Sequence, residues 1–546
     1  MKEQNIAKNH PLDVGKNPYL LTIMLSRLDL DIRIPAVLIS LLLSLWAIYF
    51  SETINNDGII YVATAGRILQ GDWNGAYQLY NWPVYSWLIA LISKGSGINL
   101  EASAQLLDAT LLAALAFTFL TLVRDFGADR KTLLIAAFVI LFHPYINDSR
   151  EEIIRDHGYW ALYLASVLFL FRYYQNPGWK YAIAWGITIT AATLFRIEGL
   201  VFLFLLPMAF MVTPRQQAAP RAVLFLQANT VLLILVALLL ALSLLQPDFF
   251  TSWAGRLHEP GNRLNMLWNG LATDLHQKAE VVRYNVLTPW SDDYALPVIY
   301  TALIVIMVDK IVRTLTPLYC ILPFVPRLRA RFNPPAGSVV ILVWLVILNI
   351  SVVTVFLIRE FFISSRYIVP LVLTLLTMTP FVLASLHDQW IARRSLSPAW
   401  KGAFPVVLVV LIFMTGDGLI TTKGSHRTYL RQAGVWIQEN IPADAGIFTN
   451  SQMVRYYSGR PIMERGPTNK KSNFDWLLGS EWKRSPYLAI EINRHAPPED
   501  VKRVESLRAR VLKTFRNTRN ERVMILKMRR GNRHRPAQII RGVPDR

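Results

Sequence analysis

Ile32-Arg33-Ile34-Pro35-Ala36-Val37-Leu38-Ile39-Ser40-Leu41-Leu42-Leu43-Ser44-Leu45-Trp46-Ala47-Ile48-Tyr49-Phe50 is followed, after four residues, by Asn55-Asn56-Asp57-Gly58. A helix rises about 1.5 Å per residue, so about 20 apolar residues cross the roughly 30 Å of hydrocarbon in a bilayer. The run from Ile32 to Phe50 therefore reads as a membrane span, and Asp57 stands just beyond its far mouth. A carboxylate there is placed for chemistry on a substrate half in lipid and half in water. It is equally placed to cap a following helix, since Asn or Asp ahead of a helix satisfies free N–H groups. Both readings stand at this point.

Working outward, the chain has 546 residues, of which 53% are hydrophobic. That is too apolar for an ordinary soluble protein and long enough for a membrane bundle with a soluble domain. Residues 1–31 are polar and lack the short apolar core and cleavage site of a signal peptide, so Ile32–Phe50 is expected to remain as a signal anchor. The single cysteine, Cys320, sits in an apolar run and excludes an intrachain disulfide or a cysteine metal cluster.

About eleven spans are expected, near 32–50, 103–123, 131–146, 157–173, 179–195, 198–212, 221–245, 296–322, 337–358, 367–386 and 402–420. Basic loops recur between alternate pairs, at Arg124 to Lys131, Arg172 to Lys180, Arg215 to Arg221, Arg327 to Arg331, and Arg393 to Lys401. Short loops rich in Lys and Arg stay in the cytoplasm, so the N-terminus is expected inside and everything after Leu419 on an outer, periplasm-like face. The expected fold is an α-helical polytopic membrane protein with interfacial helices in its first outer loop and a C-terminal soluble α/β domain. Its parts are a cytoplasmic segment 1–31, a membrane domain 32–420, an outer α/β domain 421–528 and a basic tail 529–546. In that outer domain, helical spacing at Leu430, Ala433, Trp436 and Ile437 precedes strands at 446–449 and 487–492, a helix opened by Pro497, and a last strand at 523–528.

The net charge is +20, and from Thr421 onward 26 Lys or Arg stand against 11 Asp or Glu, so 15 of the excess charges lie in the outer domain and tail. Nothing there reads as a nucleic-acid motif, and anionic lipid headgroups are the expected partner. Long translocated domains escape the positive-inside rule, so this excess does not overturn the topology.

The outer loops carry the chemistry. Past Asp57, the spacing from Ile59 to Gln70 suits an amphipathic helix lying along the membrane, and Tyr80-Asn81-Trp82-Pro83-Val84-Tyr85 has the aromatic density of an interfacial belt. The second outer loop runs Asn147-Asp148-Ser149-Arg150-Glu151-Glu152-Ile153-Ile154-Arg155-Asp156-His157-Gly158. Ionisable residues crowded at a bundle mouth line substrate or ion paths. If this loop coils helically, Glu152 and Asp156 share one face and could hold a divalent cation or a sugar hydroxyl, while Arg150 and Arg155 suit phosphate oxygens. The alternative is a self-neutralising salt-bridge loop.

Five elements then occur in order: an acidic residue after the first span, Trp82-Pro83-Val84-Tyr85, the second loop ending in Asp156, Phe195-Arg196-Ile197-Glu198-Gly199-Leu200, and Ser365-Arg366-Tyr367-Ile368-Val369-Pro370. The series resembles the GT-C superfamily of integral-membrane glycosyltransferases, specifically the bacterial relatives of protein O-mannosyltransferases (glycosyltransferase family 39) and of lipid A aminoarabinose transferases. Tyr429 to Pro442 and Arg455 to Arg460 are also similar to the periplasmic ends of that group. The resemblance implies transfer of a sugar from a polyprenyl-phosphate donor in the outer leaflet, with inversion, to a lipid, glycan or protein acceptor of the bacterial cell envelope. It implies an inner-membrane location, Asp57 as general base, Asp156 as a second acidic position for a metal or the acceptor, and Arg366 and Tyr367 as substrate-binding. Arg155, Arg263 and His258 are added as candidates, the last with Glu152 and Asp156 as ligands of a possible divalent metal ion. The chain departs from the pattern where Arg196-Ile197-Glu198-Gly199 replaces the commoner turn, so that element is expected to pin two helices together.

The long outer loop from Gln246 to Leu296, holding Arg256, His258 and Arg263, is expected to act as a lid over the carrier phosphate. A polytopic transporter or flippase, and a non-catalytic assembly protein for envelope glycolipids, are the competing classes. A transporter places ionisable groups near the midplane and shows paired repeats, whereas here they gather at one surface and no repeat or phosphate loop is present.

Overall fold

The computed structural model describes residues 31–213, 220–245, 273, 275–325, 331–335, 337–392, 405–410, 413, 416, 426–462, 481–494 and 496–528. His258 and Arg263, most of the last expected span, and the tail from Arg529 lie outside the described residues.

Among the described residues, five helices are long and apolar enough to cross a membrane: Arg33–Phe50, Leu100–Asp125, Asp292–Leu315, Ser338–Glu360 and Val369–Ile391. Arg221–Ala228 and Thr230–Leu242, bent by 50° at their junction, together make a sixth. Other expected spans are helical but shorter or broken. Helix Arg130–Leu141 has 12 residues, about 18 Å of rise. The chain breaks at Phe142 and His143 and restarts as Pro144–Ser149, with proline in the first turn where its missing N–H costs nothing.

Burial separates the lipid-facing helices from the core. Arg33–Phe50 buries only Ala36, Ser40 and Ser44 and exposes Leu38, Leu42 and Leu45, as a helix apolar all round does at the edge of a bundle. Asp156–Gln175 is buried along most of its circumference, through Trp160, Tyr163, Phe171 and Tyr173, with the stripe Leu162, Ala165, Phe169 and Arg172 partly exposed, and packs against Leu100–Asp125 and Trp179–Phe195. Gly158 permits that approach, because a Cβ there would overlap the Phe195 ring.

The two ends of the bundle differ. One end gathers Arg172 on Asp125 (2.6 Å), Arg331 on Asp129 (2.9 Å), Lys131 and Arg331 on Asp388, and Arg33 on Asp31. The described parts of the first, second and fourth basic loops thus share one end, as their alternation in sequence requires.

At the other end sit helix Asn56–Leu69, the interfacial helix Val84–Ser96, the second outer loop and the C-terminal domain. That domain holds a four-stranded sheet in the order β1 (Ile447–Thr449), β2 (Tyr487–Ile492), β4 (Arg522–Met528), β3 (Ala509–Arg516), with only β1 and β2 parallel. It docks through Tyr456, whose hydroxyl donates to Glu101 (2.9 Å), Tyr457, whose hydroxyl accepts from Ile54 N–H (3.0 Å), and Arg431, which donates to the Glu52 carbonyl (2.9 Å).

Candidate active site at the outer mouth

Helix Asn56–Leu69 starts two residues earlier than a capping role for Asp57 allows. Asn55 occupies the N-cap position and Asp57 lies inside the first turn. There the helix dipole favours a negative charge. Asn55 itself reaches across to the second outer loop: its Oδ1 accepts from Ile153 N–H (2.9 Å) and its Nδ2 donates to the Ile153 carbonyl (3.2 Å). The first two outer loops are thereby locked together beside Asp57.

Arg366, in the turn Ser365–Tyr367, donates through Nη1 to Asp57 Oδ2 at 2.6 Å, and both side chains remain partly exposed, at 29% and 23%. Burial works against the Arg366 charge, but the carboxylates of Asp156 and Asp57 outweigh it and hold the guanidinium above the ordinary arginine pKa. Its Nε has no hydrogen-bond partner among the described residues. That Nε is itself buried, and it is the partly exposed remainder of the guanidinium that is suited to an incoming oxyanion.

Behind this pair lies a second, buried one. Asp156 opens helix Asp156–Gln175, is 1% exposed, and is ion-paired with Arg196. Arg196 also donates to Glu198 at 2.5 Å and lies 4.1 Å over the Tyr367 ring, which stacks on Phe356. Arg155 lies over the Tyr80 ring at 5.6 Å. The site thus runs from the Asp57–Arg366 pair through the Tyr367 ring to Arg196, which holds both Asp156 and Glu198.

Sequence placed Asp57, Asp156, Arg155, Arg366 and Tyr367 at this mouth, and the structure brings them together. Two expectations change. Arg150 is not available to phosphate: it is 4% exposed and donates to Asn147 Oδ1 (2.8 Å), the Ser40 carbonyl (2.9 Å) and Ser44 Oγ (2.8 Å), bracing the second loop against the first span. Glu152 and Asp156 do not share a helical face, because the chain is a turn and then extended between Ser149 and Arg155. Of the metal candidates, Asp156 is committed to Arg196 and His258 lies outside the described residues, among which no group of three His, Cys, Asp or Glu that could hold a metal occurs. Arg196 and Glu198 were expected only to pin helices. They do that and also supply the buried centre of the site.

No family model and no curated protein matches the chain. Among solved structures it is similar to ArnT from Cupriavidus metallidurans bound to undecaprenyl phosphate, at 14% identity over 93% of this chain and 98% of that one, with a TM-score of 0.50. The apo state of the same protein matches at 13% identity over 90% and 97% of the two chains, with a TM-score of 0.52. Over nearly the full length of both chains, then, this chain shares the fold of ArnT.

Proposed function

We propose that the protein transfers a sugar from a polyprenyl-phosphate donor to a hydroxyl on a cell-envelope acceptor, with inversion at the anomeric carbon. The observation that carries this reading is the Asp57–Arg366 pair, a carboxylate and a guanidinium 2.6 Å apart at the mouth where a lipid phosphate meets water. ArnT, whose fold is shared, was crystallised with undecaprenyl phosphate.

The chemistry follows from the two charges. A hydroxyl is a poor nucleophile until a positioned carboxylate takes its proton. Asp57 receives that proton as the acceptor oxygen forms its bond to the anomeric carbon. The bond from that carbon to the phosphate oxygen breaks, and its electron pair leaves with the phosphate. Arg366 meets the charge that develops there, using Nη1 as Asp57 becomes neutral and releases it. Protonation of Asp57 thus loosens its hold on Arg366 at the moment the leaving group needs the cation. Asp156 and Glu198 keep Arg196 charged beneath Tyr367 and so support the floor of the site. The site end faces the periplasm-like side and the basic end the cytoplasm of a bacterial inner membrane, in keeping with the positive-inside rule.

Lipid analysis of a deletion strain tests the reading. The expected result is accumulation of a polyprenyl-phosphate sugar together with loss of that sugar from one envelope component; no change in either pool rules the transfer out.

A further inference from the structure

Asp108 is a carboxylate inside a spanning helix, eight residues from the start of Leu100–Asp125 and so about 12 Å below its outer end, and it is 2% exposed. Its Oδ2 accepts from the Tyr85 hydroxyl (2.8 Å) and from Ile154 N–H (3.3 Å). Its Oδ1 faces His157 Nδ1 at 3.4 Å, and neither of these two atoms has a hydrogen-bond partner among the described residues. On the far side of the imidazole, Nε2 lies 3.2 Å from Ser149 Oγ. Tyr85 and His157 are as buried as Asp108. No solvent path reaches this Ser-His-Asp arrangement, so it is not a nucleophile of its own.

Each branch of the network ends beside a charged residue of the outer-mouth site. Ile154 and His157 flank Asp156 within two residues. The His157 ring packs edge-on against Trp160 (5.2 Å), whose Nε1 donates to the Arg366 carbonyl (3.3 Å). Tyr85 packs edge-on against Tyr61 (5.0 Å), one turn along the helix from Asp57, and at a tilt against Phe195 (6.2 Å), the neighbour of Arg196.

A buried ionisable pair gives no more stability than apolar residues of the same volume, and ionisable groups within the membrane are costly. What such a pair supplies is fixed direction. We infer that Asp108, with His157 and Tyr85, is a buried anchor that positions the outer-mouth site, fixing where Asp156 and Arg366 stand. These are positioning residues: they touch no substrate and act through the backbone of the second loop and of Arg366. The transfer reading matters only to the activity arm of the test.

Amide hydrogen exchange on the full chain in lipid nanodiscs compares the wild type with Asp108→Asn and with His157→Gln, which keeps a side-chain amide near Ser149. Losing one partner of a buried group opens the local structure about tenfold or more, so exchange in 150–157 and 363–368 should rise by that factor while Ser338–Glu360 keeps its protection. Unchanged exchange in both segments overturns the inference, as does an even rise across the bundle. If Asp108→Asn fails to fold, His157→Gln decides by the same criterion. In the activity arm, with donor lipid extracted from cells lacking the chain, kcat should fall about tenfold or more with KM for the donor unchanged. A variant with normal kcat overturns the anchor. If the wild type transfers nothing, the transfer reading fails and the exchange arm still decides.

Discussion

Asp57 and Arg366 are 309 residues apart in sequence and 2.6 Å apart in space, so the carboxylate of the first outer loop and the guanidinium of a much later one form a single ion pair. Removing the charge of one therefore changes both the base and the state of the cation beside it.

Asp57→Asn keeps the shape and loses the base. Turnover should fall by about 10²-fold or more, the usual order for a lost general base, with binding of undecaprenyl phosphate retained. Normal transfer by this variant would remove Asp57 from the mechanism.

Arg366→Ala should weaken undecaprenyl phosphate binding by about tenfold or more, while Arg366→Lys restores charge but not the planar fork and recovers only part of it. A titration of the three proteins separates these outcomes. Equal affinities would show that the phosphate is held elsewhere.

Asp156→Ala strips Arg196 of a buried partner and leaves it with Glu198 alone. Breaking a buried pair from one side costs on the order of 3 kcal/mol, so the thermal midpoint should drop along with activity. Were Asp156 chiefly an acceptor or metal contact, activity would fall with the midpoint unchanged.

Arg150→Ala should lower stability by about 1–3 kcal/mol, by leaving Asn147 and the Ser40 carbonyl unpaired, and leave undecaprenyl phosphate affinity within about threefold. A large affinity loss in a variant of normal stability would return Arg150 to the binding residues.

Gly158→Ala pushes a methyl into the Phe195 ring. Overpacking of this kind costs about 1–3 kcal/mol, and because Phe195 precedes Arg196, turnover should fall with the thermal midpoint. A variant as stable and active as the wild type would show that the two helices can part there freely.

What the sequence made legible was sidedness and the residues a mouth exposes. Asp57, Arg366 and Tyr367 could be placed because each follows or precedes a long apolar run, and alternation of basic loops puts all three on one end. Arg196 was harder to read, since its importance comes from Asp156, 40 residues away, and from the Tyr367 ring. Arg150 was misplaced for the opposite reason. Charge density suggested a solvated loop, but Pro144 restarts a short helix that carries Arg150 under Ser40 and Ser44. Strand β3 escaped notice because a bulge between Val511 and Lys513 breaks its two-residue alternation, and it lies at the sheet edge, where charged residues are tolerated.

The Tyr457 hydroxyl accepts from the N–H of Ile54, which stands three residues before Asp57, and the neighbouring Tyr456 grips Glu101. The C-terminal sheet is consequently not a detachable module. A chimera carrying another relative's outer domain would inherit a differently set first loop, and a membrane half expressed alone would leave Ile54 without the group that fixes it. Engineering acceptor choice by exchanging that domain will succeed only where the donor of the domain supplies the same two tyrosines.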